Sequence, residues 1–87
     1  MAYTVSLTKA AAKDLAAIPK KSLQYVDRTL RLLESNPRQH GSIKLQGNGD
    51  LYRIRKGNFR IIYEINDETL VVTVVRAGNR RDVYRDL

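Results

Sequence analysis

The residues able to do chemistry in this chain are arginine and tyrosine, because the usual catalytic types are scarce. There is no Cys and a single His, His40. Without Cys there is no disulfide, no thiolate nucleophile and no thiolate metal site. One His, in a polar loop, cannot supply a two-histidine acid–base pair, so His40 reads as a loop residue. The nine acids show no metal-ligand spacing, the serines have no evident base beside them, and no phosphate-cradling motif occurs. No metal and no cofactor are expected. Arginine, by contrast, outnumbers lysine ten to six in the chain and seven to one from Leu51 onward. Its planar fork binds phosphate bidentately, whereas lysine is a hydrated point charge. Arginines can stabilise charge developing on a phosphorane, and tyrosine can act as a base if nearby cations lower its pKa from about 10. RNA brings its own nucleophile, the 2′-OH; DNA does not. The residue types therefore favour phosphate recognition, and cleavage of RNA is a chemistry they could perform.

Period and punctuation define the elements that must hold these residues. Tyr3 to Leu7 alternates as a short strand. Thr8 suits a helix N-cap, and Ala11, Leu15 and Ile18 make one face of a helix over Lys9 to Ile18. Pro19 ends it. Leu23, Val26, Leu30 and Leu33 form the stripe of a second helix over Lys20 to Ser35, stopped by Asn36-Pro37. A polar stretch, with a short strand near Ile43 to Leu45, leads to three strands of period two: Leu51 to Arg55, Phe59 to Ile65 and Leu70 to Ala77. Gly57-Asn58 is a two-residue hairpin turn, and Asn66-Asp67-Glu68 holds the next. The reading is a single domain over residues 1–87 of α+β class, with an N-terminal strand and a helical hairpin packed on one face of a small antiparallel sheet.

The Gly57-Asn58 turn sets a register: Lys56 faces Phe59, Arg55 faces Arg60, Ile54 faces Ile61 and Arg53 faces Ile62. Side chains alternate faces along a strand. Ile54, Phe59, Ile61, Tyr63 and Ile65 thus share an apolar face, joined by Leu70, Val72 and Val74 if Asn66 faces Thr69. Arg53, Arg55 and Arg60 point the other way. Like charges directly opposed on a sheet are destabilising by roughly 0.2–1 kcal/mol, and such local conflicts belong at functional sites. The basic tail adds Arg76, Arg80, Arg81 and Arg85. Tyr84 stands among these cations, while Tyr3, Tyr25, Tyr52 and Tyr63 fall on or beside packing faces. Tyr84 also suits a hydrophobic anchor for the C-terminus.

The net charge is +7 and the isoelectric point about 10.1, a field that draws polyanions or an acidic protein partner. No apolar run approaches the roughly 20 residues that span a bilayer, and the N-terminus lacks a signal-peptide layout. The expected location is the cytoplasm, with no membrane association.

Several runs resemble the RelE/ParE superfamily of bacterial and archaeal toxins. They are Leu45-Gln46-Gly47, Leu51-Tyr52-Arg53-Ile54-Arg55, Phe59-Arg60-Ile61-Ile62-Tyr63-Glu64, and the tail Ala77-Gly78-Asn79-Arg80-Arg81-Asp82-Val83-Tyr84. Ile18-Pro19 and Leu32-Leu33-Glu34-Ser35-Asn36-Pro37 fit its helical hairpin. The order and spacing of these pieces, spread over nearly the whole chain, carry the likeness. It implies a RelE-like fold and ribosome-dependent cleavage of mRNA in the A site, by 2′-OH attack leaving a 2′,3′-cyclic phosphate. It also implies a heteromeric complex with a cognate RelB-like antitoxin. By position, Arg60, Arg80 and Tyr84 match its catalytic residues, and Arg53 and Arg55 its basic strand residues; Lys56, Arg76 and Arg81 are added as RNA- or phosphate-binding. Well-known bacterial members have lysines at the positions of Arg53 and Arg55. Arginine does not readily lose a proton, which shifts proton abstraction to Tyr84. Two alternatives share parts of this pattern: a ParE-like, non-enzymatic DNA gyrase inhibitor of the same fold, and a plain nucleic-acid-binding module, which usually adds aromatic stacking platforms.

Overall fold

A computed structural model describes residues 2–45, 47 and 49–79, with Asn79 described for its backbone alone. The elements run β1 (Thr4–Leu7), α1 (Lys9–Ala16), α2 (Lys20–Ser35), β2 (Ser42–Lys44), β3 (Leu51–Lys56), β4 (Phe59–Asn66) and β5 (Val71–Asn79). They form an α+β fold, two helices packed on one five-stranded sheet of order β1-β5-β4-β3-β2. The expected α+β class and helical hairpin are both present.

Each helix begins where the side-chain chemistry requires it. Thr8 Oγ1 accepts a hydrogen bond from the Ala11 amide at 3.1 Å and donates to the Val75 carbonyl at 2.9 Å. One hydroxyl therefore caps α1 and ties it to β5. α1 stops at Ala16, two residues before the expected Ile18, with Ala17 as its C-cap. Pro19 then serves as the N-cap of α2, whose bounds match the expected Lys20 to Ser35.

The Gly57-Asn58 turn produces the anticipated register, including Arg55 opposite Arg60 and Lys56 opposite Phe59. Gly57 has φ 60°, the left-handed backbone that this turn favours glycine for. The following hairpin differs from expectation. Asn66 pairs with Val71 rather than Thr69. The Asn66 side chain accepts hydrogen bonds from the Glu68 and Thr69 amides, building a wider turn that uses Leu70 at φ 55°. The shift is two residues, so parity is kept: Val72 and Val74 still face the core, and Leu70 moves into the turn.

Two features were not expected. First, β1 pairs with β5 in parallel, Thr4 beside Val71 through Leu7 beside Val74. Second, β5 carries a bulge: Tyr63 pairs with Val74, but the next residue back, Ile62, pairs with Arg76, leaving Val75 as the extra residue. Unbroken alternation after Val72 and Val74 would aim Arg76 into the core. The bulge resets the phase, so Ala77 is buried there instead. The core joins Ala11, Val26 and Leu33 of the helices to Ile54, Ile61, Tyr63, Ile65, Val72, Val74 and Ala77 of the sheet. Ile62 is fully buried without belonging to that cluster.

Candidate phosphate-binding site

The β3–β4 register sets the cations on the sheet face away from the helices. Arg53 pairs with Ile62, and Ile62 with Arg76; one step nearer the hairpin tip, Arg55 pairs with Arg60, and Arg60 with Gly78. Arg55 is exposed, while Arg53 and Arg60 are half-buried. Gly78 contributes no side chain beside Arg60, and its φ of 154° suits glycine. A strand glycine of this kind permits close approach of a ligand to the backbone. Arg53 Nε is buried without a hydrogen-bond partner among the described residues, a condition that calls for a specific explanation in a folded protein. The chemistry available here is bidentate binding and neutralisation of an oxyanion.

Two expected site residues sit elsewhere. Lys56 alternates onto the helix side of the hairpin with Phe59, so it does not join the arginine face. Arg76 is committed to the fold. Its Nε and a terminal nitrogen donate to the Asp14 carboxylate at 2.8 and 3.2 Å, and the Ala77 amide donates to the same carboxylate at 3.0 Å. Both side chains of this pair are less than one-fifth exposed. Burial pushes the Asp14 pKa up, but the hydrogen bonds from Arg76 and the Ala77 amide outweigh it, and the net shift is downward. The expectation that Arg76 binds phosphate is thus replaced by a structural role, fastening α1 to the edge of β5 beyond the reach of β1. Arg80, Arg81 and Tyr84 lie outside the described residues. His40 is an exposed turn residue, as expected.

A second polar cluster, at the opposite end of the sheet, has no signature in the sequence. Arg38 holds Asp67 with two hydrogen bonds of 3.0 and 2.9 Å, and Tyr3 Oη donates to the same carboxylate at 2.7 Å. Arg38 also donates to Tyr52 Oη at 3.2 Å, with its guanidinium carbon 5.4 Å from the Tyr52 ring centre. Hydrogen bonds from Arg38, then Tyr3, pull the Asp67 pKa down to about 2. This cluster ties the residue preceding β1, the α2–β2 loop, β3 and the β4–β5 turn together. Tyr63, stacked on Tyr52 with centroids 5.9 Å apart, donates to the Pro37 carbonyl at 2.6 Å. Among the described residues no group of three or more His, Cys, Asp or Glu could hold a metal, and no helix is long and apolar enough to cross a membrane.

Against known proteins, residues 5–84 match the family model described as the ParE toxin of the type II toxin–antitoxin system parDE. The chain is 31% identical to Toxin RelG of Mycobacterium tuberculosis, covering 98% of this chain and 99% of that protein. It is 29% identical to the mRNA interferase toxin RelE of Escherichia coli, covering 99% and 94%. Its fold is similar to that in the crystal structure of the toxin–antitoxin complex RelBE2 from Mycobacterium tuberculosis, with TM-score 0.83, 28% identity, and coverage of 92% and 100%.

Proposed function

Since the chain belongs to the RelE/ParE superfamily of type II toxins, we propose that it is the mRNA-cleaving member of a toxin–antitoxin pair, acting on ribosome-bound message in the cytoplasm. The observation that carries this reading is the arginine face. The register sets Arg55 against Arg60 and Arg60 against a bare glycine, which is a surface for an oxyanion rather than for packing. The relative named mRNA interferase RelE supports the same reading.

In the proposed reaction Tyr84 enters as the phenolate, stabilised by the neighbouring arginines, and takes the proton of the 2′-OH. The O2′–P bond forms, Arg60 with Arg53 and Arg55 neutralises the phosphorane oxygens, and the P–O5′ bond breaks. Arg80 stabilises the departing 5′ oxygen, which takes a proton from solvent. The product is a 2′,3′-cyclic phosphate. Arg81 adds a phosphate contact, and so does Lys56 from the other side of the hairpin tip. No cofactor enters this scheme.

The proposed partner in the resting cell is a RelB-like antitoxin. A groove of about 690 Å³ between α1 and α2, lined by Ala12, Leu15, Leu23, Val26 and Leu30 among others, fits the apolar side of an amphipathic segment. An acidic segment would also answer the +7 charge.

The family model's description as a ParE toxin favours a second reading, a gyrase inhibitor of the same fold. Primer extension on mRNA translated in a cell-free system, with gyrase supercoiling run alongside, separates the two. Codon-positioned cuts by the wild type that disappear in Arg60→Ala and Tyr84→Phe, with supercoiling intact, establish the nuclease. Intact mRNA with inhibited supercoiling refutes it.

A further inference from the structure

We propose that a second pocket, on the helix side of the β3–β4 hairpin, holds one unstacked base of the RNA, with Tyr25 as its stacking platform. This inference rests on the reading of the chain as an RNA-cleaving toxin. The pocket has a volume of about 330 Å³ and is lined by Ser22 and Tyr25 of α2 and by Lys56, Gly57, Asn58 and Phe59 of the hairpin.

Tyr25 is 62% exposed, the most exposed large hydrophobic side chain among the described residues. The stripe that buries α2 runs through Val26, Thr29 and Leu33, and Tyr25 stands off it. An aromatic ring held in water beside a cation, a hydroxyl and an amide is suited to a flat ring with polar edges. RNA-binding proteins recognise unpaired bases by that combination of stacking and edge hydrogen bonds. Phe59 supplies a second aromatic wall, and Lys56 can meet an adjoining phosphate.

The location fits the same RNA strand. Lys56 and Phe59 form the register pair next to Arg55 and Arg60 and project to the opposite face. A strand crossing the hairpin tip passes from the arginine face to this pocket within a residue's width of protein. Gly57 presents no side chain at the tip, and the space where its Cβ would sit is open. The groove proposed for the antitoxin lies on the other flank of α2, toward α1, and shares none of the lining residues named here.

The test compares wild type, Tyr25→Ala and Tyr25→Phe by codon-resolved primer extension on translated mRNA, with thermal denaturation of each variant and titration with the co-expressed antitoxin. The expected result is slower cleavage by Tyr25→Ala, about fivefold or more as removal of one base stack implies, with a flattened codon pattern. Tyr25→Phe, which keeps the ring, restores rate and pattern, and all three melt alike. Unchanged cleavage by Tyr25→Ala overturns the subsite while leaving the nuclease reading intact. Unchanged cleavage with lost neutralisation by the antitoxin overturns it in favour of a protein-binding pocket. A wild type that leaves mRNA intact removes the parent reading and this inference together.

Discussion

Asp14→Ala should be among the most damaging single changes to this fold, although Asp14 sits on an eight-residue helix with one fully buried residue, Ala11. Its carboxylate accepts from Arg76 at 2.8 Å and from the Ala77 amide at 3.0 Å. Truncation strands a backbone donor at the open edge of β5 and leaves a guanidinium without its carboxylate. An unsatisfied buried donor costs about 1–3 kcal/mol, and breaking a fully buried ion pair about 3–5 kcal/mol. Here the pair retains slight exposure, 18% and 19%, so the combined cost should be about 2–4 kcal/mol. For a domain of this size that is a Tm loss of roughly 10–25 °C. The control is Asp27→Ala, which breaks the exposed Arg31–Asp27 pair and should cost at most about 0.5 kcal/mol. Urea denaturation of both variants, with a double-mutant cycle between Asp14 and Arg76, reads the difference. If Asp14→Ala and Asp27→Ala lie within about 0.5 kcal/mol of each other, the fastening role argued for Asp14 is wrong.

The two polar ties around Tyr63 and Asp67 give predictions of opposite pH sign. Burial pushes the Tyr63 hydroxyl to about 12, so its contribution is complete below pH 10 and is lost as pH rises from 10 through 12. Tyr63→Phe should flatten that alkaline limb and, by orphaning the Pro37 carbonyl, cost about 1–2 kcal/mol at pH 7; an unchanged alkaline limb would contradict this. For Asp67, held near pH 2 by Arg38 and Tyr3, the contribution is present above about pH 4 and disappears as pH falls from 4 through 2. Denaturation midpoints of wild type and Asp67→Asn measured down that range should converge; curves that stay parallel would show that the carboxylate's charge is irrelevant.

What was legible in the sequence is what nearest-neighbour rules govern. The span of α2 follows from Pro19, its apolar stripe and Asn36-Pro37, all local. The β3–β4 register follows from two turn residues, and with it the arginine face. The misreadings begin where a side-chain hydrogen bond or a distant group decides. Asn66 could have closed its turn at Thr69; the choice of Val71 came from its own side chain reaching the Glu68 and Thr69 amides. Arg76 looked like one more cation in a basic run, because its partner lies 62 residues upstream on another element. The parallel pairing of β1 with β5 has no sequence signature of its own.

These non-local features form one device. β1 covers β5 only as far as Val74. Thr8, the first residue past β1, takes the Val75 carbonyl with its hydroxyl, at the point where the bulge turns the strand's phase. Asp14, two turns further on, takes the Ala77 amide and the Arg76 guanidinium. The strand edge that β1 leaves open is thus closed by α1, which also keeps an exposed β-edge from recruiting other chains. That closure holds the stretch of β5 that runs beside Arg60 and ends one residue before Arg80 in sequence. A helix whose residues touch no proposed phosphate contact therefore fixes the strand on which the proposed chemistry depends. Asp14 accordingly belongs with the arginines in any account of activity, as a support for the strand rather than as a group that meets RNA.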